Sequence, residues 1–271
     1  DISRAIAHYR PDLLVSVHPL LQNVPLNVLR RMRYEIPMAT VVTDLGTFHP
    51  TWFDRGVALC FVPTAEGERQ AMRHGLRPHQ LRRYGLPIRP DFARPAPPKE
   101  AVRRELGLLP DALTALLVGG GEGMGPVKKI ARAVADELAT GGHTGVRASA
   151  QLVVVCGRNE RLRETLLEKD WPIPTVIHGY IDNMRDWMAA GDCIITKAGP
   201  GTIAEALACG LPILLSGYLM GQEEGNVSHV LANRVGAYSD HPARIASIVG
   251  RWFGSERETL SQMAVRARAL G

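Results

Sequence analysis

The sequence predicts an α/β protein with parallel sheets, and three observations support this. Short β-branched apolar runs alternate with amphipathic stretches, which is the pattern of repeated strand–helix units. Glycine clusters follow two of the predicted strands, and parallel sheets bind ligands at the carboxyl ends of strands. A proline-rich segment without periodicity, residues 84–99, is typical of a linker. We therefore expect two domains, residues 1–94 and residues 95–271.

The first domain contains three predicted strands and three predicted helices. The strands are Leu13–Val17, Ala39–Thr43 and Ala58–Val62, and the helices are Ile2–Tyr9, Leu26–Arg33 and Thr64–His74. Asp1 is a residue type that favours helix N-termini. Because three strands are few for a doubly wound sheet, we expect this domain to be truncated, with further strand–helix units before Asp1.

The second domain repeats the strand–helix pattern more completely. Its predicted strands are Leu113–Val118, Leu152–Cys156, Thr175–His178, Cys193–Thr196 and Pro212–Ser216. Its predicted helices are Pro126–Leu138, Asn159–Glu168, Asp182–Ala190, Gly201–Ala208 and Glu224–Asn233, and Pro242–Phe253 and Glu256–Leu270 close the chain. These units predict a parallel sheet covered on both faces.

The composition excludes several classes of protein. Of the 271 residues, 45% are hydrophobic and 22% are charged, which argues against a disordered chain. The longest apolar runs are far shorter than the ~18 residues of a membrane-spanning helix. The four cysteines lack the spacing of a zinc site or a disulfide scaffold. Residues 1–98 carry 13 Arg against 8 acidic residues, so this half favours an anionic partner such as a membrane surface or nucleic acid, with a solvated face as the alternative.

The most informative motif, TKAGPGTIAEA, spans residues 196–206 between a predicted strand and a predicted helix. Its glycines let the backbone approach a phosphate, and the amides and dipole of a helix N-terminus favour negative charge. A carboxylate one turn later could accept both hydroxyls of a ribose. The residues concerned are Gly199, Pro200, Gly201, Thr202 and Glu205. The alternatives are a plain turn and a solvent-facing glutamate. The motif is not a Walker loop, which disfavours nucleoside triphosphate hydrolysis.

Two further loops carry polar or glycine-rich sequence. Residues 119–125, which include Gly120, Gly121 and Glu122, end a strand and precede a helix that begins at Pro126. Residues 221–226, which include Gln222, Glu223 and Asn226, offer amides and carboxylates suited to sugar hydroxyls. A flexible loop and a polar helix start are the respective alternatives.

Six segments together resemble the monogalactosyldiacylglycerol synthases nearly from end to end. They are VVTDLGTFHPTWF (41–53), YGLPIRP (84–90), GGGEGMGP (119–126), VCGRN (155–159), TKAGPGTIAEA (196–206) and GQEEGNV (221–227). The wider group contains diacylglycerol glucosyltransferases and the transferase that adds N-acetylglucosamine to peptidoglycan lipid. The resemblance implies the GT-B arrangement of two Rossmann-like domains, with the donor bound mainly by the second.

The resemblance also implies an activity: inverting transfer of galactose from UDP-galactose to the hydroxyl of diacylglycerol, without a metal or other cofactor. By likeness, Glu205 would hold the ribose and residues 199–202 the diphosphate. Arg158 and the backbone at Gly179, Tyr180 and Ile181 would hold the uracil, and Gln222 with Glu223 the galactose. The alternatives are a diacylglycerol glucosyltransferase and an inactive UDP-sugar-binding fragment.

The general base is expected from the resemblance to be a histidine in a glycine-rich motif before Asp1. Within the chain, Asp44 and His49 could contribute to the acceptor cleft or support the base. A turn carboxylate and a surface histidine are the alternatives.

A lipid acceptor gives the basic first half a specific meaning. Arg77, Arg82, Arg83 and Arg89 could meet anionic membrane lipids. Phe48, Trp52 and Phe53 could anchor the protein at the interface, with a core aromatic cluster as the alternative. We expect monotopic binding to the plastid envelope, or to a bacterial cell membrane. Nucleic-acid binding is disfavoured because this half lacks interleaved aromatic residues.

Overall fold

The computed structural model describes residues 2–95, 97–123, 125–141 and 149–271. Asp1, expected at the start of the first helix, and Met124, within the second glycine cluster, lie outside the described residues. The chain divides into two compact units. The first comprises residues up to Pro87 together with Gly221–Asn226, and the second comprises Ile88–Met220 together with Val227–Gly271. Residues 88–94 and 221–226 are therefore each grouped with the unit opposite to the one we expected.

The first unit is built on a parallel sheet. Its helices are α1 (Ile2–Tyr9), α2 (Asn23–Met32) and α3 (Ala65–Arg73), and its strands are β1 (Leu14–Ser16), β2 (Met38–Val41), β3 (Leu59–Val62) and β4 (Leu81–Arg83). The described strands pair in the order β1-β2-β3-β4. Short 3-10 helices, Pro19–Leu21, Pro50–Trp52 and Pro78–Gln80, lie between these elements. The α/β prediction is confirmed here, and β4 is an addition to it.

The aromatic residues of the first unit correct the membrane-anchor prediction. Trp52 is 1% exposed, Phe48 4% and Phe53 8%, and all three belong to the core of this unit. The rings of Phe48 and Phe53 lie 6.2 Å apart. An interfacial anchor requires an exposed ring, so the core cluster that we gave as the alternative is what the structure shows.

Exposed apolar side chains of the first unit lie around β1 instead. Val15, Val17 and Leu20 are each more than half exposed, and the two valines border an apolar cavity of about 450 Å³. Arg82 is half-buried and donates to the carbonyls of neighbouring residues, whereas Arg83 is exposed and lies 3.2 Å from Glu68.

The second unit contains the remaining elements. Its strands are β5 (Leu113–Val118), β6 (Ala150–Val155), β7 (Thr175–His178), β8 (Cys193–Thr196), β9 (Ile213–Leu215) and β10 (Gly236–Tyr238). The helices in this part of the chain are α4 (Lys99–Glu105), α5 (Val127–Thr140), α6 (Glu160–Leu167), α7 (Met184–Ala190), α8 (Pro200–Ala208), α9 (Glu224–Ala232), α10 (Pro242–Phe253) and α11 (Arg257–Leu270). Helix α9 starts within the segment grouped with the first unit.

The described strands of this sheet are all parallel and pair in the order β10-β9-β8-β5-β6-β7. The chain therefore moves outward from β5 to β7, returns to the other side of β5 at β8, and moves outward again. Every residue of β6 is buried, as expected of a parallel strand covered on both faces. Helices α5 and α10 pack together against the sheet and supply much of the core.

Helix α4 is fixed by a charged cluster around Asp192. The Arg103 guanidinium lies 2.6 Å from one oxygen of Asp192, and the Lys99 ammonium lies 2.8 Å from the other. The amide of Thr114 donates to the same carboxylate at 2.7 Å. This cluster joins α4 to the start of β5 and to the turn before β8.

None of the described helices is both long enough and apolar enough to span a bilayer.

Candidate functional site

The site begins where β5 and β8 lie side by side. Val118 at the end of β5 is paired with Thr196 at the end of β8. After β5 the chain continues to β6 on one side of this pair, and after β8 it continues to β9 on the other side. The carboxyl ends of β5 and β8 are therefore the topological switch point of the sheet. Open α/β sheets bind ligands in the crevice at this point. Residues 119–125 follow β5 directly, and residues 199–201 follow β8 after Lys197 and Ala198.

The loop after β8 places the start of α8 at the switch point. Gly199 is the N-cap residue and Pro200 the first helical residue, as the sequence predicts. The amide of Ile203 makes a hydrogen bond to the Gly199 carbonyl, so the amides of Gly201 and Thr202 precede it in the first turn. The first turn contains no acidic residue, and a Cβ on Gly201 would meet no atom within 4 Å. An anion therefore has both space and positive potential here.

The loop after β5 lies beside the start of the β8 loop. A Cβ placed on Gly120 would lie 3.6 Å from the Cε atom of Lys197. Lys197 is exposed and follows β8 directly. Lys197 belongs to the motif at residues 196–206 but was not among the predicted site residues, although its position after a strand at the carboxyl edge was a usable signal. Pro126 is the N-cap of α5, so the helix starts one residue later than expected.

The loop after β6 packs against the loop after β5. The Arg158 amide donates to the Gly121 carbonyl at 2.7 Å, and the Arg158 guanidinium lies 3.1 Å from Glu122. Gly157 has a φ of +59°, and a Cβ there would collide with the carbonyls of Gly120 and Gly121. Only glycine fits this contact without displacing the loop.

The loop after β7 completes this edge of the sheet. Tyr180 is 62% exposed, and the Arg158 guanidinium carbon lies over its ring, 5.1 Å from the ring centroid. A Cβ on Gly179 would lie 3.7 Å from the Gly157 carbonyl, so this loop adjoins the loop after β6. His178 packs on Trp187 at a ring distance of 4.4 Å, and burial lowers its pKa. The structure thus brings Arg158, Tyr180 and the glycines after β5 together.

Glu205 lies on α8 with its side chain 19% exposed, so it is not the solvent-facing residue of the alternative reading. Burial raises the pKa of its carboxyl, and the nearby Arg89 guanidinium opposes the rise. Arg89 Nε lies 3.5 Å from Glu205 Oε1. Arg89 also donates to the Asp182 carbonyl at 3.0 Å. These contacts give Arg89 partners within the second unit, and the expectation that it meets lipid headgroups stays a prediction.

The first unit gathers the other residues singled out from the sequence. Trp52 Nε1 donates to Asp44 Oδ2 at 2.7 Å, and burial raises the pKa of Asp44 despite this hydrogen bond. His49 is exposed and accepts a hydrogen bond from the Thr51 amide. Glu223 lies close enough to Asp44 to raise its pKa further.

Residues 221–226 are held against the loop after β2. Asn226 is 1% exposed, and its side-chain oxygen accepts a hydrogen bond from the Leu45 amide at 3.1 Å. Gly46 and Gly225 approach so closely that a Cβ on either would collide with the other segment. Glu223 is buried, whereas Gln222 is exposed. The segment is therefore positioned by its backbone and by Asn226.

Comparison with known proteins identifies the family. Residues 1–88 match the family model "Monogalactosyldiacylglycerol (MGDG) synthase", and residues 114–232 match the glycosyltransferase family 28 C-terminal domain. The chain is 48% identical over 272 residues to the probable monogalactosyldiacylglycerol synthase 2, chloroplastic, of Oryza sativa subsp. japonica, with 100% of this chain and 58% of the rice protein covered. The chain belongs to the monogalactosyldiacylglycerol synthase family.

Other relatives show the same pattern of coverage. Monogalactosyldiacylglycerol synthase 1, chloroplastic, of Arabidopsis thaliana is 48% identical, with 98% of this chain and 50% of that protein covered. The probable synthase of Nicotiana tabacum is 46% identical, with 100% and 50% covered. The chain thus spans about half the length of these relatives, up to 58%.

Solved structures establish the fold class. MurG of Acinetobacter baumannii superposes with a TM-score of 0.66 at 16% identity, with 99% of this chain and 73% of MurG covered. CalG4, the calicheamicin glycosyltransferase, gives 0.62 at 16% identity, with 100% and 72% covered. HepE of Anabaena in complex with UDP-glucose gives 0.59 at 14% identity, with 99% and 76% covered. The predicted GT-B class, with its Rossmann-like sheets, is confirmed.

Proposed function

We propose that this chain is the catalytic part of an inverting galactosyltransferase, which transfers galactose from UDP-galactose to the hydroxyl of 1,2-diacylglycerol. The observation that carries the proposal is the convergence of two glycine-rich loops and Lys197 at the switch point of the second sheet. The sugar and the acceptor follow from the family, whose members are named monogalactosyldiacylglycerol synthases.

The diphosphate binds at the start of α8 in this proposal. The amides of Gly201 and Thr202 and the charge of Lys197 face the oxygens that become negative as the bond from the anomeric carbon to UDP breaks. Preorganised donors stabilise such charge without rearrangement during the reaction. The backbone of Gly120 and Gly121 closes the other side of this subsite. In this proposal the reaction needs no metal or other cofactor.

The nucleoside binds along the edge formed by the loops after β6 and β7. Glu205 accepts the ribose hydroxyls, and Arg158 with the backbone at Gly179, Tyr180 and Ile181 contacts the uracil. Glu122 holds Arg158 in place through their ion pair. Gln222 and Glu223 bind galactose, and Asn226 acts by holding their segment to Leu45 rather than by touching sugar.

The acceptor hydroxyl must lose its proton as its oxygen bonds to the anomeric carbon. A general base works best when its pKa lies near the operating pH. Asp44 and His49 are the candidates within the chain to support this step, and burial moves the pKa of Asp44 in the required direction. A histidine in a glycine-rich motif is the base implied by the resemblance.

The protein acts at the plastid envelope in this proposal, as a monotopic protein on anionic lipids. The relatives are named chloroplastic, and Arg82 and Arg83 lie at the end of β4 with at least partial exposure. A bacterial cell membrane is the alternative location.

The test is calorimetry with UDP, followed by a product assay with diacylglycerol vesicles and either UDP-galactose or UDP-glucose. We expect UDP to bind, and galactose to be transferred faster than glucose. Faster transfer of glucose would favour the glucosyltransferase alternative. UDP binding without any product would favour the binding-only alternative, and a folded protein that binds no UDP would contradict the proposal.

A further inference from the structure

Arg89 joins two parts of the second unit that are far apart in sequence. Its Nη1 donates to the Asp182 carbonyl at 3.0 Å, and its Nε lies 3.5 Å from Glu205 Oε1. Asp182 follows the segment 179–181 directly, and Glu205 is on α8. In the function proposed above, these two parts hold the uracil and the ribose.

The guanidinium of Arg89 is itself held in place. It lies over the ring of Phe92, 5.2 Å from its centroid, and Phe92 is 3% exposed. Pro90 begins the 3-10 helix Pro90–Ala93, which fixes the backbone immediately after Arg89. A cation stacked on a buried ring keeps its donors in a defined direction.

We propose that Arg89 is a positioning residue for the nucleoside of the UDP-sugar: it holds the Glu205 carboxylate and the Asp182 loop at a fixed separation. The inference rests on the proposed function, because it gives a partner to the residue that binds the ribose. Arg89 contacts no substrate in this arrangement and acts through Glu205 and the loop.

The chemistry of the carboxylate supports this role. An ionised carboxylate offers about four acceptor positions on two oxygens. Arg89 approaches Oε1, and among the described residues it is the side-chain partner of Glu205, so Oε2 can accept the hydroxyls of a ribose. The positive charge also favours the ionised form, which accepts two hydroxyl protons, over the acid, which does not.

The surroundings of Glu205 contain few other titratable groups. Cys209 follows the end of α8, one turn beyond Glu205, and its thiol interacts with Glu205 electrostatically. Arg185 and Asp186 of α7 and Arg268 of α11 act on Cys209. Arg89 is the charged group that acts on Glu205 itself, and removal of its charge therefore raises the pKa of Glu205.

The experiment compares UDP with uridine, which lacks the phosphates, by calorimetry. We expect Arg89→Met to lower the affinity for UDP and for uridine by the same factor of about ten or more, which is the usual effect of losing a hydrogen bond to a charged group. Arg89→Lys keeps the positive charge but lacks the planar guanidinium, which donates toward Asp182 and Glu205 at the same time. We therefore expect a smaller loss of affinity than in Arg89→Met. Arg94→Met is the matched control, since Arg94 is exposed in the same segment and its guanidinium lies 3.1 Å from Asp91; we expect no change in the affinity for either ligand.

Two further readouts separate positioning from general damage. In a Glu205→Gln background, Arg89→Met should reduce the affinity for uridine by a smaller factor than it does in the wild-type protein, because part of its effect passes through Glu205. The pH below which uridine affinity is lost should be higher in Arg89→Met than in the wild type. Thermal unfolding of each variant checks that the fold is intact, and Arg89→Lys serves if Arg89→Met does not fold.

Some results would overturn the inference. Unchanged uridine affinity in both Arg89 variants would overturn the positioning role of Arg89. The proposed function would stand if the wild type still binds UDP. Loss of UDP affinity without loss of uridine affinity would place Arg89 at the phosphates instead. Wild-type protein that binds neither ligand would overturn the proposed function and this inference together.

Discussion

At the scale of one residue, Glu205 lowers the folding stability of the protein while it serves the proposed binding site. A half-buried carboxylate with a raised pKa costs free energy of folding at neutral pH, because the unfolded chain ionises it more readily. Arg89 offsets part of this cost from a side chain that is itself half exposed. The residue suits the proposed ribose contact because ligand hydroxyls can satisfy the carboxylate that burial has partly desolvated.

Glu205→Gln is therefore expected to weaken UDP binding at least tenfold without lowering the thermal stability at pH 7. The sign follows from the raised pKa of the folded state. As the pH falls through that pKa, Glu205 becomes protonated, its cost disappears, and the wild type approaches the variant in stability. The measurement is the unfolding temperature of both proteins between pH 7 and pH 5, together with UDP calorimetry.

Glu164→Gln is the matched control, because Glu164 is an exposed glutamate of α6. The difference in unfolding temperature between Glu164→Gln and the wild type should not change with pH, and the UDP affinity of the variant should equal that of the wild type. A Glu205→Gln variant that is much less stable at pH 7 than at pH 5, relative to the wild type, would show that the ionised carboxylate stabilises the fold.

Single-residue roles were the hardest part to predict from the sequence. Phe48, Trp52 and Phe53 are equally compatible with a core and with a membrane interface, because apolarity alone does not distinguish the two environments. Burial depends on how the loop after β2 folds back over its own sheet. Arg89 was counted with the other arginines for its charge, although its partner, Glu205, is more than a hundred residues away in sequence.

At the scale of elements, periodicity predicted most of the fold. The predicted bounds of β5, β7, β8, α1 and α10 coincide with those observed. The strands that were missed, β4 and β10, have the sequences LRR and GAY, which lack the β-branched apolar run that predicted the other strands. Helix α4 was missed because its sequence, KEAVRRE, carries little apolar pattern. Its stability comes from the tertiary contacts of Lys99 and Arg103 with Asp192.

The Asp192 cluster yields a prediction for α4. Arg103→Met leaves the carboxylate with one fewer cation in a site where both side chains are nearly buried, and we expect a loss of about 3 kcal/mol or more in unfolding free energy. Arg104→Met removes an exposed arginine from the same helix and should change stability by less than about 0.5 kcal/mol. Urea unfolding of both variants is the measurement, and equal effects would contradict the assigned role of Asp192.

At the scale of the whole molecule, the site follows from the topology of the second unit. The order β10-β9-β8-β5-β6-β7 places the ends of β5 and β8 side by side while the chain continues from them in opposite directions, and the loops after both strands carry the glycines. This much follows from strand–helix alternation and the rule for carboxyl edges. The grouping of residues 221–226 with the first unit could not be predicted, because it depends on the close approach of Gly46 and Gly225, which no local pattern reveals.

Each unit has its own hydrophobic core, and the proposed diphosphate and nucleoside contacts all lie in the second. A ligand that binds only the folded state stabilises it by about 2.7 kcal/mol at a hundred times its Kd. We therefore expect saturating UDP to raise the unfolding temperature of the second unit by roughly 5 to 10 °C. Trp171, Trp187 and Trp252 all belong to that unit.

Trp52→Phe makes the measurement specific, because it leaves those three tryptophans as the fluorescence signal and keeps an aromatic ring in the core of the first unit. Uridine at the same multiple of its own Kd should produce a similar shift, whereas uridine at the UDP concentration should produce a smaller one, since it lacks the diphosphate that the start of α8 and Lys197 bind in our proposal. An unfolding temperature in the Trp52→Phe protein that does not respond to UDP would mean that the switch point of the second sheet is not the nucleotide site.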